Sequence, residues 1–419
     1  MLLPLLLLAQ AAGAQSLGAQ SRGWHTLLRL EASTLMLAPL GGAGQEESFA
    51  VLEPTVVVDG GAQWGVHLGA GVSLRLWGGE AGAGRVRRED WDSLSDWGQL
   101  VRAFTLGGDT SPVALWVGEL EDYSLLSGHL VRRYSNRIHP DYHPAGAFLT
   151  STLGPLYLEA FSSDVLAPRL MGAQVEVDLV HVLTGAPQKP GRYTLGLSVV
   201  RDWGDAGRRP AQAHVDAAAV LVERPGLELH LLGGWGGHLG EPRAWGAVAG
   251  VGVDALTTNR DMKLRLEARR QRGGFRQGYF GPGFELEREL SVTRGLFPEG
   301  FSAYGEVELE WDEVRLGGLR QRHLLLSLGA EVFTWGRVEV AGRLGLQLAQ
   351  RRLEVAVSGQ WAEPGQPGAW HVYSGQVRWR FAGALYTLGQ GGMRLNPGGE
   401  EGLRPVAFAS LGLGVEHAR

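Results

Sequence analysis

Apolar and polar residues alternate one by one along most of this chain, which is the pattern of a β-strand with one apolar and one polar face. In WGVHLGAGVSLRL, residues 64–76, the apolar side chains hold the even positions, and glycine, histidine, serine and arginine hold the odd ones. From Met262 the apolar residues again fall on even positions, while Lys263, Arg265 and Glu267 alternate with them. The same period recurs in 305–311, 338–348, 353–361 and 373–381. Such a chain must build a large β-sheet.

The alternating segments are about 10 to 14 residues long, roughly twice the usual length of strands in soluble sheets. This length suits a tilted strand that crosses a bilayer. Short turns are found at 223–226, 240–243, 334–337 and 382–383, and longer connections at 273–283, 363–368 and 394–402. Short turns on one rim and long loops on the other are typical of an outer-membrane barrel, and the segments from Trp24 to Val415 predict about eighteen strands, within a range of about 16 to 20.

A soluble β-sandwich or a β-propeller would also alternate, but with shorter strands. A repeat of about 40 residues, the mark of a propeller, is not found in the sequence. Tryptophans near segment ends favour the membrane barrel, because indole prefers the level of the lipid headgroups. These tryptophans are Trp64, Trp77, Trp203, Trp235, Trp311, Trp361 and Trp370.

Composition excludes several classes of protein. The sequence has no cysteine, so neither a disulfide framework nor a thiolate metal site is possible. The formal net charge is only −5 and both signs are mixed along the chain, which argues against a nucleic-acid partner. The start, MLLPLLLLAQAAGAQS, joins a short apolar run to Ala12-Gly13-Ala14, as in a secretory signal peptide. We expect residues 1–14 to be removed and residues 15–419 to form the barrel.

Together, the signal peptide, the long alternating strands, the alternation of short and long turns and the absence of cysteine resemble the porin-like outer-membrane β-barrels of Gram-negative bacteria. The resemblance is architectural and covers nearly the whole mature chain. It implies an all-β, transmembrane, antiparallel barrel in the outer membrane, in contact with outer-membrane lipid. One departure is that such barrels often end on an aromatic residue, whereas alternation here stops near Val415.

In such a barrel the polar face of each strand points into the lumen, because a charge on the lipid face costs several kcal/mol near the midplane. Opposed acidic and basic rows would then either orient dipolar solutes in a transverse field or simply pair across neighbouring strands. The mixed signs disfavour a pore dedicated to anions or to cations. The predicted pore-lining residues on strands are Lys263, Arg265, Arg269, Glu306, Glu308, Glu310, Arg378 and Arg380.

Between residues 78 and 112 the alternation breaks. The residues spaced as on an amphipathic helix are Asp90, Trp91, Leu94, Trp97, Leu100, Val101 and Phe104. A short helical insert in a wide barrel would fold into the lumen as a plug or constriction, or else lie on a rim.

The densest chemistry in the chain is HLVRRYSNRIHPDYHP, residues 129–144. His139, Asp141 and His143 alternate and form a weak candidate for a divalent metal site. Ser135 and Asn136 with His139 or His143 supply the residue types of a hydrolase, but in an order that does not favour catalysis. We favour a constriction or a plug contact in which arginine forks and aromatic faces narrow the pore or hold a polar ligand. The residues predicted for this role are Arg132, Arg133, Tyr134, Arg137 and Tyr142.

Three functions follow as hypotheses. The first is a barrel that gives passage to polar solutes or to an exported saccharide polymer, the latter with a periplasmic export partner. The second is a sealed structural or scaffold barrel. The third is an outer-membrane enzyme that modifies lipid or lipopolysaccharide, which the large strand number disfavours. No catalytic residues and no cofactor are predicted, since neither a nucleotide-binding loop nor a zinc motif occurs in the sequence.

Overall fold

A computed structural model gives the fold. It describes residues 24–418 apart from 41–44, 62, 80–82, 109–110, 139–140, 186–191, 205–210, 258, 291–296, 312–322, 350–351, 365–368 and 398–402. The expected signal peptide, residues 1–14, therefore lies outside the described residues, as does His139.

Nearly every alternating segment is a strand, and the strands are long where the period is most regular. They are β1 (His25–Pro39), β2 (Glu47–Asp59), β3 (Trp64–Gly69), β4 (Val72–Trp77), β5 (Val101–Leu106), β6 (Val113–Gly118), β7 (Gly146–Leu153), β8 (Leu156–Ser162), β9 (Leu170–Asp178), β10 (Tyr193–Asp202), β11 (Gln212–Arg224), β12 (Leu227–His238), β13 (Trp245–Thr257), β14 (Arg260–Arg272), β15 (Gly300–Trp311), β16 (His323–Phe333), β17 (Val338–Leu348), β18 (Leu353–Ala362), β19 (Trp370–Ala382), β20 (Leu385–Pro397) and β21 (Leu403–Ala418).

Outside β3 to β5, each strand pairs antiparallel with its neighbours along the chain, and β21 pairs with β1, so the sheet closes on itself. Strands β3 and β4 both pair with β2 in one register, Gly69 opposite Thr55 and Val72 opposite Leu52. They are thus one pass across the barrel, interrupted at residues 70–71. Counted in this way the barrel has 20 strands, so the expected eighteen is too low by one hairpin.

Alternation is retained in three dimensions. In β10, from Tyr193 to Asp202, exposed and buried residues alternate without exception. On β14, Leu264 and Leu266 are exposed on the outside, while Glu267 and Arg269 are buried on the inside. The outer face is therefore an apolar belt suited to lipid, and the inner face is polar, which confirms the predicted porin-like barrel.

The turns depart from the expected division between rims. Successive strands cross the barrel in opposite directions. The rim that holds both ends of the sheet therefore carries the turns at 225–226 and 383–384, and the opposite rim carries those at 239–244 and 334–337. The opposite rim also carries the long connections 78–100, 119–145 and 273–299. Two of the four short turns thus lie among the long loops, and the simple rule of one short rim and one long rim is wrong here.

The expected amphipathic helix between residues 78 and 112 is replaced by two short 3-10 helices and a barrel strand. The 3-10 helices are Arg88–Asp90 and Ser95–Leu100, and Val101–Leu106 is β5. Leu94, Trp97 and Leu100 are exposed, which follows from the three-residue turn of a 3-10 helix. Residues 84–87 run beside β4 and pair with it through the bridge between Leu74 and Val86. They take the place of a neighbouring strand at this point of the wall.

Two further features differ from the sequence pattern. The last strand continues past Val415, and Ala418 still pairs with Leu27. Trp370 is buried, 8% exposed, against Leu286 and Leu395 in the lumen, so it is not part of an interfacial girdle. Two short α-helices, α1 (Leu179–Thr184) and α2 (Phe284–Leu290), lie in connections. Among the described residues no helix has the length and apolar character needed to span a membrane.

The largest hydrophobic core lies inside the barrel. It joins the connection between β6 and β7, here called the inner segment (residues 119–145), to the start of the connection between β14 and β15, the second inner segment (residues 273–290). Both pack on inward side chains of the wall. The core comprises Leu120, Tyr123, Leu125, Leu130, Val131, Tyr134, Phe161, Leu170, Val200, Ala244, Phe275, Phe280 and Phe284.

Candidate functional site: the narrowed lumen

The inner segment folds back on itself and reaches across the lumen. Tyr123 and Tyr134 exchange backbone hydrogen bonds of 3.0 and 2.7 Å, which makes a narrow hairpin with its tip near Gly128. The tip then pairs with the second inner segment, where Gly278 N–H donates to the His129 carbonyl at 2.7 Å and Phe280 N–H to the Leu130 carbonyl at 3.2 Å. The two segments therefore satisfy each other's backbone groups inside the barrel.

The five patch residues predicted for a constriction all lie on this inner segment. Arg132 forms an ion pair with Glu306 and donates to the Tyr304 hydroxyl at 3.3 Å. Arg133 donates to Asp122 at 2.8 Å and to the Ala341 carbonyl at 3.2 Å. These two arginines tie the tip of the hairpin to β15 and β17, on the far side of the lumen from β6 and β7.

The other three hold the base of the segment. The Tyr134 hydroxyl donates to Glu285, and Arg137 donates to the carbonyls of Pro144 at 2.7 Å and Gly98 at 3.1 Å. The Arg169 guanidinium stacks on Tyr142 at 4.2 Å from the ring centre. Each predicted residue thus has a defined partner, and its effect on the passage of solutes stays a prediction.

The strand-borne basic residues pair with carboxylates on their own strand, on the next strand or on strands further round the wall. Lys263 lies 3.9 Å from Glu308, and Arg269 donates to Glu267 at 2.7 Å and to Glu331 at 3.0 Å. Arg378 donates to Glu31 at 3.1 Å, and Arg380 donates to Glu416 at 3.1 Å. Arg265 contacts Glu267 on its own strand. Glu310 lies opposite Asp261 in the strand register. Most of these charges are taken up in ion pairs on the inner face, and their role in lining a pore stays a prediction.

Residues of the insert join the same network. Arg87 donates to Asp141 at 2.6 Å and pairs with Asp90, and the His143 backbone N–H donates to Asp96 at 3.2 Å. Because Asp141 is bound by a guanidinium, its carboxylate is already charge-compensated, which disfavours the weak metal candidate of His139, Asp141 and His143. Asn136 is held by the Leu120 N–H at 2.9 Å and the Ser163 carbonyl at 2.8 Å, which is a structural role.

Among the described residues, recesses beside the inner segment include the following three. One of about 590 Å³ is lined by Lys263, His230, Arg132 and Glu308, and one of about 650 Å³ by Arg132, Arg133 and Tyr304. The largest, about 1000 Å³, runs along β17 to β20 beside Arg133. Arg132 borders the first two recesses and Arg133 the last two, so the recesses meet at the tip of the hairpin.

The lining of the largest recess was mostly missed from the sequence. Glu119, Glu121 and Asp122 follow β6 directly and face Arg343 and Arg394 on the opposite wall. The signal was the run GELED at residues 118–122, three acids just after a strand in a connection that also carries Leu120 and Leu125. Apolar residues in a polar loop indicate that the loop is buried.

Burial raises the pKa of the Glu121 carboxyl to about 7, opposed by Arg343 at 3.3 Å and reinforced by Glu119 and Asp122. Below that pH the carboxyl is protonated and neutral, and above it the lumen gains a negative charge. Between about pH 6 and about pH 8 we expect cation over anion permeability to rise about fivefold, because a unit charge about 4 Å from an ion contributes about 1 kcal/mol even in water. Reversal potentials across a salt gradient measure this ratio.

Glu121→Gln should remove the pH step, and Glu310→Gln is the matched control, since it deletes a lumen carboxylate elsewhere. A step that persists unchanged in Glu121→Gln would assign it to another group.

No protein-family model matches the chain, and no curated protein matches it in sequence. Similar solved structures are porins. OccAB4 of Acinetobacter baumannii is 9% identical with a TM-score of 0.40, over 96% of this chain and 99% of that one. OpdO of Pseudomonas aeruginosa is 12% identical with a TM-score of 0.40, over 94% and 97%. A BenF-like porin from Pseudomonas fluorescens Pf-5 is 12% identical with a TM-score of 0.37, over 94% and 99%. The porin-like architecture of this chain is established by its own closed strand order and apolar outer face.

Proposed function

We propose that this protein is a channel in the outer membrane of a Gram-negative bacterium that gives passage to small polar solutes. The observation that carries the proposal is the set of recesses that meet at Arg132 and Arg133. A sealed scaffold has no need of charged recesses beside the segments that occupy its lumen. A barrel of this strand number is wide enough to hold water around such a hairpin.

Small solutes fit this lumen better than a saccharide polymer does. The inner segment is fastened to the opposite wall through Arg132 and Arg133 and to the insert through Arg137. Opening a path for a polymer would break buried ion pairs, each of which costs several kcal/mol once one partner is lost. The same contacts argue that the narrow lumen is the working state and that no periplasmic export partner is needed to open it.

The charges along the largest recess favour solutes that carry both signs. Glu121 and Asp122 on the inner segment face Arg343 and Arg394 on the wall. Fixed charges of opposite sign on two sides of a pore orient a dipolar solute. Zwitterions of low molecular mass are the class of solute that this arrangement suits.

The test is conductance of the purified protein in a planar bilayer, together with swelling of liposomes in isosmotic solutes. We expect open steps in the full chain and faster entry of a zwitterion than of a neutral solute of equal size. An intact, heat-modifiable barrel that shows no open steps would instead support the sealed scaffold. Open steps with equal entry of both solutes would retain the channel and remove the preference for zwitterions.

A further inference from the structure

Two histidines and an aspartate meet where the tip of the inner segment touches the barrel wall. His214 and Asp216 are two residues apart on β11, so both point into the lumen. His129 comes from the tip. The Nδ1 atom of His214 lies 2.7 Å from Asp216 Oδ1, and the Nδ1 atom of His129 contacts the same oxygen. One ligand atom from each of the three residues falls within 4.8 Å of the others, and all three side chains are buried.

We propose that His129, His214 and Asp216 form a binding site for a divalent transition-metal ion. The donor set indicates the class of ion, because two imidazoles and one carboxylate suit Zn²⁺, Ni²⁺ or Cu²⁺, whereas Ca²⁺ and Mg²⁺ prefer oxygen ligands alone. Asp216 Oδ2 is buried and has no hydrogen-bond partner, so it offers a further oxygen to the ion. This site is separate from His139, Asp141 and His143.

The groups behind the two rings are those of a metal site. A ligating imidazole usually donates its other N–H to an acceptor that fixes the ring. Glu267 Oε1 lies 3.4 Å from His129 Nε2. Gln277 Nε2 lies 3.0 Å from His214 Nε2, while Gln277 Oε1 is buried without a partner. Rotation of that amide by half a turn places its oxygen where it can accept from the Nε2–H of a metal-bound His214.

The wall also holds His214 in place before any ion arrives. A Cβ atom at Gly234 would come within 2.3 Å of the ring of His214, and one at Gly236 within 2.4 Å. Only glycine at these two positions on β12 lets the ring lie flat against the neighbouring strand. The ring is therefore positioned by close packing, with its Nδ1 atom directed at Asp216.

The ion would compete with a hydrogen-bonded arrangement of the same groups. Arg265 Nη2 lies 2.7 Å from His129 Nε2, so without a metal Arg265 donates to the ring and the ring donates from Nδ1 to Asp216. When the ion binds, the ring proton moves from Nδ1 to Nε2 and that N–H donates to Glu267, while Arg265 Nη2 turns away from the ring and Arg265 keeps its ion pair with Glu267. Binding would thus replace a hydrogen bond between the tip and β11 with coordination bonds.

Isothermal titration of the full-length protein in detergent, stripped with chelator, tests the site with Zn²⁺ and with Ca²⁺ as probes. We expect about one Zn²⁺ ion to bind tightly per chain. Ca²⁺ should not compete with it, because two of the ligand atoms are nitrogens and the rings that carry them are held in place by neighbouring groups. Asp216→Asn and His129→Gln should each weaken Zn²⁺ by more than about tenfold, because both remove a direct ligand. His230→Gln is the matched control, since His230 also faces the lumen and lies 3.0 Å from an aspartate, Asp254, but has no second histidine.

Heat-modifiable migration shows whether each variant is folded, and His129→Gln lies off the wall strands, so at least one variant keeps the barrel intact. Tight Zn²⁺ binding that is equal in the wild type and in both ligand variants, or absent from the folded wild type, would overturn the proposal. Loss in the ligand variants with retention in His230→Gln would support it.

Discussion

Replacing residues 119–145 with a two-residue Asn-Gly turn should raise the single-channel conductance by about three- to tenfold, as expected when a barrel of this size loses the chain that fills it. The replacement is compatible with the wall, because Gly118 and Gly146 already lie opposite each other at the ends of β6 and β7. Asn-Gly is the preferred sequence for a two-residue hairpin turn. Every strand-to-strand hydrogen bond of the barrel is then kept.

The deletion should lower the stability of the protein, because it removes part of the hydrophobic core inside the lumen. Leu120, Leu125, Leu130, Val131 and Tyr134 leave with the segment, and each buried apolar side chain contributes about 1.5–3 kcal/mol. The closed wall is nevertheless complete without them, because its backbone groups pair with one another. Residues 78–112 are a poorer choice for deletion, since β5 lies within them and its loss would open the wall.

Arg132→Met is the matched control for the deletion. It removes the contact of the tip with Glu306 and keeps the chain in the lumen, so we expect a smaller rise in conductance. Conductance that is the same in the deletion and in the wild type would show that the second inner segment sets the limit.

Arg269→Met should lower the free energy of unfolding by about 3–5 kcal/mol, the usual effect of removing one partner from a buried ion pair. Arg269 is 1% exposed, donates to Glu267 and Glu331, and covers the ring of Tyr304 at 4.1 Å. Without the guanidinium, two buried carboxylates lose a shared countercharge. Denaturant unfolding of the barrel in lipid vesicles gives the measurement.

Lys263→Met on the same face of β14 is the control. Lys263 is 57% exposed and 3.9 Å from Glu308, and an exposed pair contributes about 0–1 kcal/mol. Equal losses in the two variants would mean that burial of the network does not decide its contribution to stability.

The sequence was sufficient for the wall of the barrel and insufficient for its contents. Period two identifies β14 and predicts that Lys263, Arg265 and Arg269 face inward, because the two faces of a strand must meet lipid and water. The strand number was underestimated where strands are short, as in β5 and β6, since six residues give too few alternations for a clear period. Leu94, Trp97 and Leu100 follow one another at three-residue intervals, a spacing that 3-10 and α-helices share, so the sequence pattern did not separate the two.

The contents of the lumen depend on contacts between distant segments. His129 meets His214 and Asp216 only because the hairpin crosses the barrel, and no local pattern encodes that crossing. Arg132 and Arg133 were singled out from residue types alone, but their partners Glu306 and Asp122 could not be assigned. Loops have little sequence periodicity, so the path of a loop is determined by its contacts with the tertiary core.

The pairing of β1 with β21 also has a consequence for the order in which the barrel folds. The seam joins Leu27 to Ala418 and is fastened inside by Arg29 with Glu416 and by Glu31 with Arg378. These contacts are among the most distant in sequence that the chain makes, and contacts of large sequence separation form slowly. Until the final strand arrives, both edges of the sheet expose unpaired backbone groups, which are open to pairing with another chain. We therefore expect closure to be the last step of folding and to protect the finished barrel from aggregation.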